Sequence, residues 1–299
     1  MGLAGRACSG IGLIELMISL ALGALLSLGV AGLIVKAQRH YWHDEQLAQL
    51  RDNGRYALNL LRRELSMAGF FGYSLPQELE VDVEASDACY AHLLGPLPSI
   101  EHYDDLDQDG VSGALAGVPE PCRRQNYYQP GSDALLIRRV LDSPLRLRGE
   151  TLKTAMDTAV YLQGEGGDAR LAVGPGSAAI LWRYSPYLWF VRNYSVVNGD
   201  GIPGLCRLRL SPNGARLAPV ECLAEGVEML QLEFALDTNG DMKADQWTSR
   251  PTASQLPQAL LVRIRLSMRS VLPLSFSGGY LRHNMAAIVL LRNSDVLRS

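Results

Sequence analysis

The sequence is poor in net charge and in the short motifs that announce catalysis. Its 299 residues sum to a formal charge of −3, so it lacks the basic surface that nucleic-acid binding requires. Five cysteines stand at 8, 89, 122, 206 and 222, with no C-x-x-C pair among them. That spacing excludes the usual zinc and redox arrangements. The five histidines, at 40, 43, 92, 102 and 283, fall in no H-E-x-x-H, and there is no G-x-S-x-G or P-loop. "GEGG" and "GPGS" near 164–177 lack the Gly-Lys-Ser/Thr that phosphate binding needs and read as turns. Regular alternation of strands and helices is also missing, which excludes a TIM barrel or a Rossmann fold. The chain is therefore expected to be no enzyme and to hold no organic cofactor.

What the sequence does have is apolar residues, 47% of the total, and one long run of them. From Ile11 to Val35 the only charge is Glu15. A helix over this run covers about 37 Å, enough for a bilayer core. An ordinary signal peptide does not fit, because only Arg6 precedes the run and no A-x-A-like site follows it. Nor does the helical pattern stop at the membrane edge. In residues 36–68, Leu47, Leu50, Ala57, Leu58, Leu61, Leu65 and Ala68 recur at steps of three and four. Gly54 interrupts the pattern without ending it, and "AGFFG" at 68–72 supplies the stop. His40, Tyr41, Trp42 and His43 lie just past the apolar run and suit a membrane-interface belt better than a metal site. A carboxylate in hydrocarbon costs about 2.5–3.5 kcal/mol, so Glu15 calls for a partner or a function.

From about residue 75 the chain reads as β-rich with long loops. Strands are expected at 133–141, 178–185, 187–197, 205–211, 228–236, 259–269 and 285–293, several alternating apolar with polar residues. Pro186 and the "SPNG" at 211–214 mark turns. The expected fold is α+β, a long N-terminal helix packed on an antiparallel, β-rich domain. Beyond the apolar run four cysteines remain, and an even, dispersed set suggests two disulfides in an oxidising compartment. Three pairings are open, as is the reading of four unpaired thiols. Cys89–Cys122 with Cys206–Cys222 is preferred because each closes a local loop.

The N-terminal residues resemble the class III signal of type IV pilins and type II secretion pseudopilins: a leader ending in Gly10, then Ile11, with Glu15 fifth in "IGLIELM". Ile11 stands where Phe is commoner and Gly12 where Thr is commoner. The resemblance implies that a prepilin peptidase cuts between Gly10 and Ile11 and methylates the new amine. It also implies that Glu15 neutralises the N-terminus of a neighbouring subunit when the helices pack into a filament. Gly23, Gly29 and Gly32 would then allow close helix approach. Within that family the body resembles the PilW-type minor pilins. The carrying segments are "CLAEGVEMLQLEFALDTNGD" (222–241), "QALLVRIRLSMRS" (258–270) and "YLRHNMAAIVLLRN" (280–293), with Arg282 and Arg292-Asn293 matching and His283 departing. The stretch at about 75–130 matches least and reads as a loop or insertion.

The implied organisation is a leader at 1–10, a membrane or filament-core helix at 11–36, an amphipathic continuation at 37–72 and a pilin-like periplasmic domain at 73–299. The implied role is a minor pilin in type IV pilus assembly or priming; the close alternative is a minor pseudopilin of type II secretion. Implied partners are the prepilin peptidase, other minor pilins, the major pilin and the inner-membrane assembly platform, with no nucleic acid. Charge alone does not orient the helix, since Arg6 precedes it and Lys36 and Arg39 follow; the resemblance places the N-terminus in the cytoplasm and the body first in the periplasm, then on the pilus.

Two acidic loops are candidate Ca²⁺ sites. Asp105, Asp107 and Asp109 precede Gly110 in "DDLDQDG", although Ala116 stands where an EF-hand has its Glu. Asp237, Asn239 and Asp241, with Asp245 nearby, form the second. Each also reads as a solvated acidic turn. A membrane-tethered, calcium-dependent adhesion module is the corresponding alternative function. The aromatic run "WRYSPYLWFVRNY", 182–194, reads either as a ligand surface or as a strand pair packed on a helix.

Overall fold

The computed structural model describes residues 12–85, 87–112, 117–123, 127–146, 158–164, 169–174, 180–212, 216–274 and 278–293. Helix α1 is Leu13–Ser66. It is followed by β1 (Glu80–Asp82), α2 (Ala88–Leu94), β2 (Ile100–Leu106), β3 (Ser132–Ile137), β4 (Leu145–Arg146), β5 (Val160–Gln163), β6 (Arg170–Val173) and β7 (Ile180–Arg183). The second half holds β8 (Tyr187–Arg192), β9 (Gly204–Arg209), β10 (Glu221–Glu225), β11 (Val227–Leu236), β12 (Gln246–Thr248), β13 (Ala259–Arg269) and β14 (Arg282–Leu290). The chain divides into two units, Met1–Ala48 and Gln49–Ser299, and α1 runs through the division.

In the first unit α1 presents apolar side chains on every side. Leu13, Ile14, Met17, Ile18, Leu25, Leu26, Leu33 and Ile34 are all exposed, and the helix is long and apolar enough to cross a membrane. The two hydroxyls of this stretch are turned inward on the helix itself: Ser19 Oγ donates to the Glu15 carbonyl (2.7 Å) and Ser27 Oγ to the Gly23 carbonyl (2.8 Å). Such back-bonding removes polar groups from an apolar surrounding.

In the second unit the same helix becomes one-faced. Leu50, Ala57, Leu58, Leu61 and Leu65 are buried, the three- and four-residue steps of the sequence turned into a packed stripe. Gly54 belongs to that stripe. A Cβ there would lie 2.4 Å from Met285 Sδ and 3.1 Å from Met268 Cγ, so glycine lets α1 settle close on β13 and β14. The helix ends as "AGFFG" suggested. Gly69 has φ +73°, its N–H donates to the Arg138 carbonyl (3.0 Å), and Asn293 Nδ2 caps the Ala68 carbonyl (3.2 Å).

Three sheets follow. Their strand orders are β1-β6-β5-β7-β4, β10-β9-β8-β3-β2 and β12-β11-β13-β14. Pairing is antiparallel except for β1 with β6. The stripe of α1 shares one core with β3, β8, β9, β11 and β13, through residues such as Leu135, Trp189, Leu205, Leu232 and Ile264. Alternate residues of the middle sheet, among them Ala134, Leu136, Leu188 and Phe190, join a second core with Leu162, Leu171 and Trp182 of the first sheet and Leu93 of α2. Strand β3 is therefore buried on both faces, which is why its sequence "SDALLI" shows no alternation.

The α+β expectation holds, with edges adjusted. Strand 259–269 is as expected, while the segment expected at 187–197 stops at Arg192, where the Asp200 carboxylate gathers the N–H groups of Ser195, Val196, Val197 and Ile202 into a turn. The last strand begins three residues early, at Arg282, and ends at Leu290, which frees Asn293 to cap α1. The stretch 75–130 is not simply loop: it supplies α2 and β2, and β2 is a full member of the middle sheet.

Candidate functional site

The features with a functional meaning fall in three places. The first is the start of α1. Glu15 stands in the first turn, where a carboxylate suits the positive end of the helix dipole, and its Oε2 is 3.4 Å from the Gly12 N–H. It is exposed, as is its whole neighbourhood. Around Gly23, Gly29 and Gly32 a Cβ would meet nothing within 4 Å. The cleavage pair Gly10–Ile11 lies outside the described residues, as does Cys8. His40, Tyr41, Trp42 and His43 are exposed on α1.

The second is the attachment of the helix to the folded domain. Glu64 is buried on α1 and accepts two hydrogen bonds from Arg139, Nε to Oε2 at 2.8 Å and Nη2 to Oε1 at 3.0 Å. Arg139 also donates to the Val140 carbonyl and lies over the Tyr187 ring. Burial would lower the pKa of this guanidinium, but the Glu64 pair outweighs it and the net shift is upward. Nothing in the spacing of the sequence joins Glu64 to Arg139; a glutamate on the apolar side of an amphipathic pattern is the one available hint.

The third is the carboxylate-rich region around β2. Of the first acidic loop, Asp107 Oδ1 accepts from the N–H groups of Asp109 and Val111, while Asp105 pairs with Arg250 at 3.0 Å. In the second loop Asp237 accepts from the N–H groups of Asn239, Gly240 and Met242, Asp245 from Thr238, and Asn239 Oδ1 from Asp241. Asp107 in the first loop and Asp237 and Asp245 in the second thus serve as turn acceptors. Among the described residues, the group that brings three metal-capable side chains together is a different one, His102, Asp104 and Asp133. His102 Nε2 is 3.1 Å from Asp133 Oδ2, and both side chains are wholly buried. Asp133 also accepts from the N–H groups of Asp105 and Leu232. Burial, and then the Asp133 charge, raise the pKa of the Asp104 carboxyl, against the opposing hydrogen bond from Arg250. No motif in the sequence marks this group, because its members are joined by strand pairing.

The remaining candidates take structural places. Cys89–Cys122 ties α2 to the short turn at Glu120–Cys122, and Cys206–Cys222 joins paired positions of β9 and β10. In the aromatic run, Trp182, Trp189 and Phe190 are buried in the two cores. Arg192 stacks on Tyr194 (4.1 Å) and Arg207 on Tyr187 (4.8 Å). The run is thus mainly core, with arginines sealing its edge.

An apolar helix that opens with one carboxylate, continued into the core of a β-rich domain, is the architecture of a pilin-like protein. Two family models match the chain: the prokaryotic N-terminal methylation motif over residues 5–31, and type IV pilus-assembly protein W over residues 193–293. The two matches support a type IV pilus-related, pilin-like protein, and over residues 193–293 the chain is similar to type IV pilus-assembly protein W. The second match takes in β9 to β14, including the Asn293 cap. No curated protein and no solved structure matches it. The methylation motif and the apolar helix fit a single-pass inner-membrane protein.

Proposed function

We propose that this protein is a minor pilin that helps to prime or assemble a type IV pilus. It is cut between Gly10 and Ile11 by a prepilin peptidase, N-methylated, and held in the inner membrane with its body in the periplasm until it is drawn into the filament. The observation that carries this reading is the pairing, in one chain, of a methylation motif at 5–31 with a pilus-assembly protein W region at 193–293. Glu15 in the first turn of α1, with no other charge before Lys36, supports it. The protein W match favours a pilus over a type II secretion pseudopilus. The proposed partners are the other minor pilins, the major pilin and the assembly platform; adhesion or twitching motility would follow from the filament.

The test has two readouts. The intact mass and N-terminal peptide of protein purified from its own membranes should show a chain beginning at N-methyl-Ile11. Surface pili should fall sharply when Glu15→Ala replaces the wild-type chain. An uncut chain, or one cut near residue 35, contradicts the processing, and normal piliation with Glu15→Ala contradicts the assembly role.

A further inference from the structure

The buried group beside β2 has a chemistry that pilus assembly does not use. His102 and Asp104 are alternate residues of β2, and Asp133 comes from β3, the next strand. One ligand atom from each lies within 4.8 Å of the other two, and all three residues are buried. Strand pairing holds them, so the arrangement is set by the sheet and not by a loop. Charge is unbalanced there. Three carboxylates gather here with one guanidinium: Arg250 pairs with Asp104 and Asp105, while Asp133 faces His102 and accepts the Asp105 N–H. Arg250 is itself 52% exposed, whereas Asp104 is 2% exposed, so the positive charge reaches the group from the solvent side and can leave by the same route. Inside, His102 turns its Nε2 to Asp133, wholly buried with it, and its other ring nitrogen, Nδ1, is buried with no hydrogen-bond partner among the described residues.

We propose that His102, Asp104 and Asp133 form a site for a divalent transition-metal ion of the zinc class, which displaces Arg250 from Asp104. One imidazole nitrogen and two carboxylate oxygens are a borderline donor set suited to zinc, while calcium takes six to eight oxygens and no nitrogen. The ligands of a tetrahedral zinc ion stand roughly 3.3–3.6 Å apart, given bonds of about 2.0–2.2 Å. The 3.1 Å between His102 Nε2 and Asp133 Oδ2 is already of that order, and an Asp104 carboxylate oxygen lies within 4.8 Å of a ligand atom of each. The imidazole Nε2 would supply its lone pair, and the fourth position is left to water. A divalent ion also offsets the surplus negative charge more fully than one arginine does. Bound there, it would pin β2 to β3 beneath β11, whose Leu232 N–H bonds to Asp133.

The experiment uses the full chain in detergent micelles, stripped with a chelator. Zinc, manganese and calcium chlorides are titrated in turn, with calorimetry for stoichiometry and thermal unfolding as a second readout. One zinc ion per chain should bind and raise the unfolding temperature, and calcium should bind at least 100-fold more weakly. Asp104→Asn should weaken zinc at least tenfold, and Arg250→Gln, which removes the competing cation, should tighten it severalfold. Because Asp133→Asn strips acceptors from two backbone N–H groups and endangers the fold, His102→Gln serves as the second ligand variant. Absence of one-to-one zinc binding in both the wild type and Arg250→Gln overturns the proposal. So does binding that survives both ligand variants but is lost in His40→Gln/His43→Gln, which would place the ion on the exposed face of α1.

Discussion

Replacing Glu64 by glutamine should loosen the hold of the domain on its own helix. Glu64 and Arg139 are 7% and 6% exposed, and the pair is made through two hydrogen bonds of 2.8 and 3.0 Å. Removing one member of a buried pair leaves the other charge unpaired in low dielectric, at about 3–5 kcal/mol. The lower end applies here, since Arg139 keeps the Val140 carbonyl and the Tyr187 ring. A loss of about 3 kcal/mol is a factor of roughly 150 in the folding constant and a large part of the 5–15 kcal/mol typical of a domain. Urea unfolding of the full chain in detergent, followed by tryptophan fluorescence, should show the midpoint falling with little change in slope. The double variant Glu64→Leu/Arg139→Met should recover most of the loss, because an apolar pair carries no desolvation penalty. A loss under about 1 kcal/mol in the single variant, or a double variant no more stable than it, would refute the reasoning.

Glu101 gives a pH test. Burial alone would raise its pKa, but the His92 hydrogen bond, the Arg138 charge 2.5 Å away and the Tyr103 hydroxyl together bring it down to about 2. Its folded pKa lies below the ordinary value, so its stabilisation is present above pH 4.5 and is lost as pH falls from 4.5 through about 2. About 3 kcal/mol should disappear over that window, and Glu101→Gln should lose less stability between pH 6 and pH 3 than the wild type does. Gly54→Val should cost about 2 kcal/mol by forcing Met285 and Met268 aside, while the deeper-lying fold, read by far-ultraviolet dichroism, stays the same. Asn293→Ala should cost about 1 kcal/mol through the lost cap on Ala68, and an unchanged unfolding midpoint would contradict that role.

The sequence showed the parts that depend on periodicity. A long apolar run and a three-and-four pattern are local properties, so α1 and its turn-ending glycines could be read directly. Strands with one wet face, such as β13 with its alternating arginines, were equally plain. What pairing at long range decides was hidden. Asp133 is separated from His102 and Asp104 by about thirty residues of chain, and only the β2–β3 ladder brings them together. Strand β2 was itself missed, because "IEHYDDL" is too polar to look like sheet until its buried acids are given partners. The disulfides were accessible because loop closure is a matter of separation along the chain, 33 and 16 residues here.

The continuity of α1 has a mechanical consequence. The segment that enters the core at Leu50 is the same covalent helix that begins at Leu13. A tug on the anchor is therefore delivered to the middle of the fold and not to a loop at its rim. To slide out, the helix must shear Leu50, Leu58, Leu61 and Leu65 past the sheets and break Glu64 from Arg139 in one step. A subunit made this way resists stretching as a nail resists being drawn, through a whole length of contact yielding together.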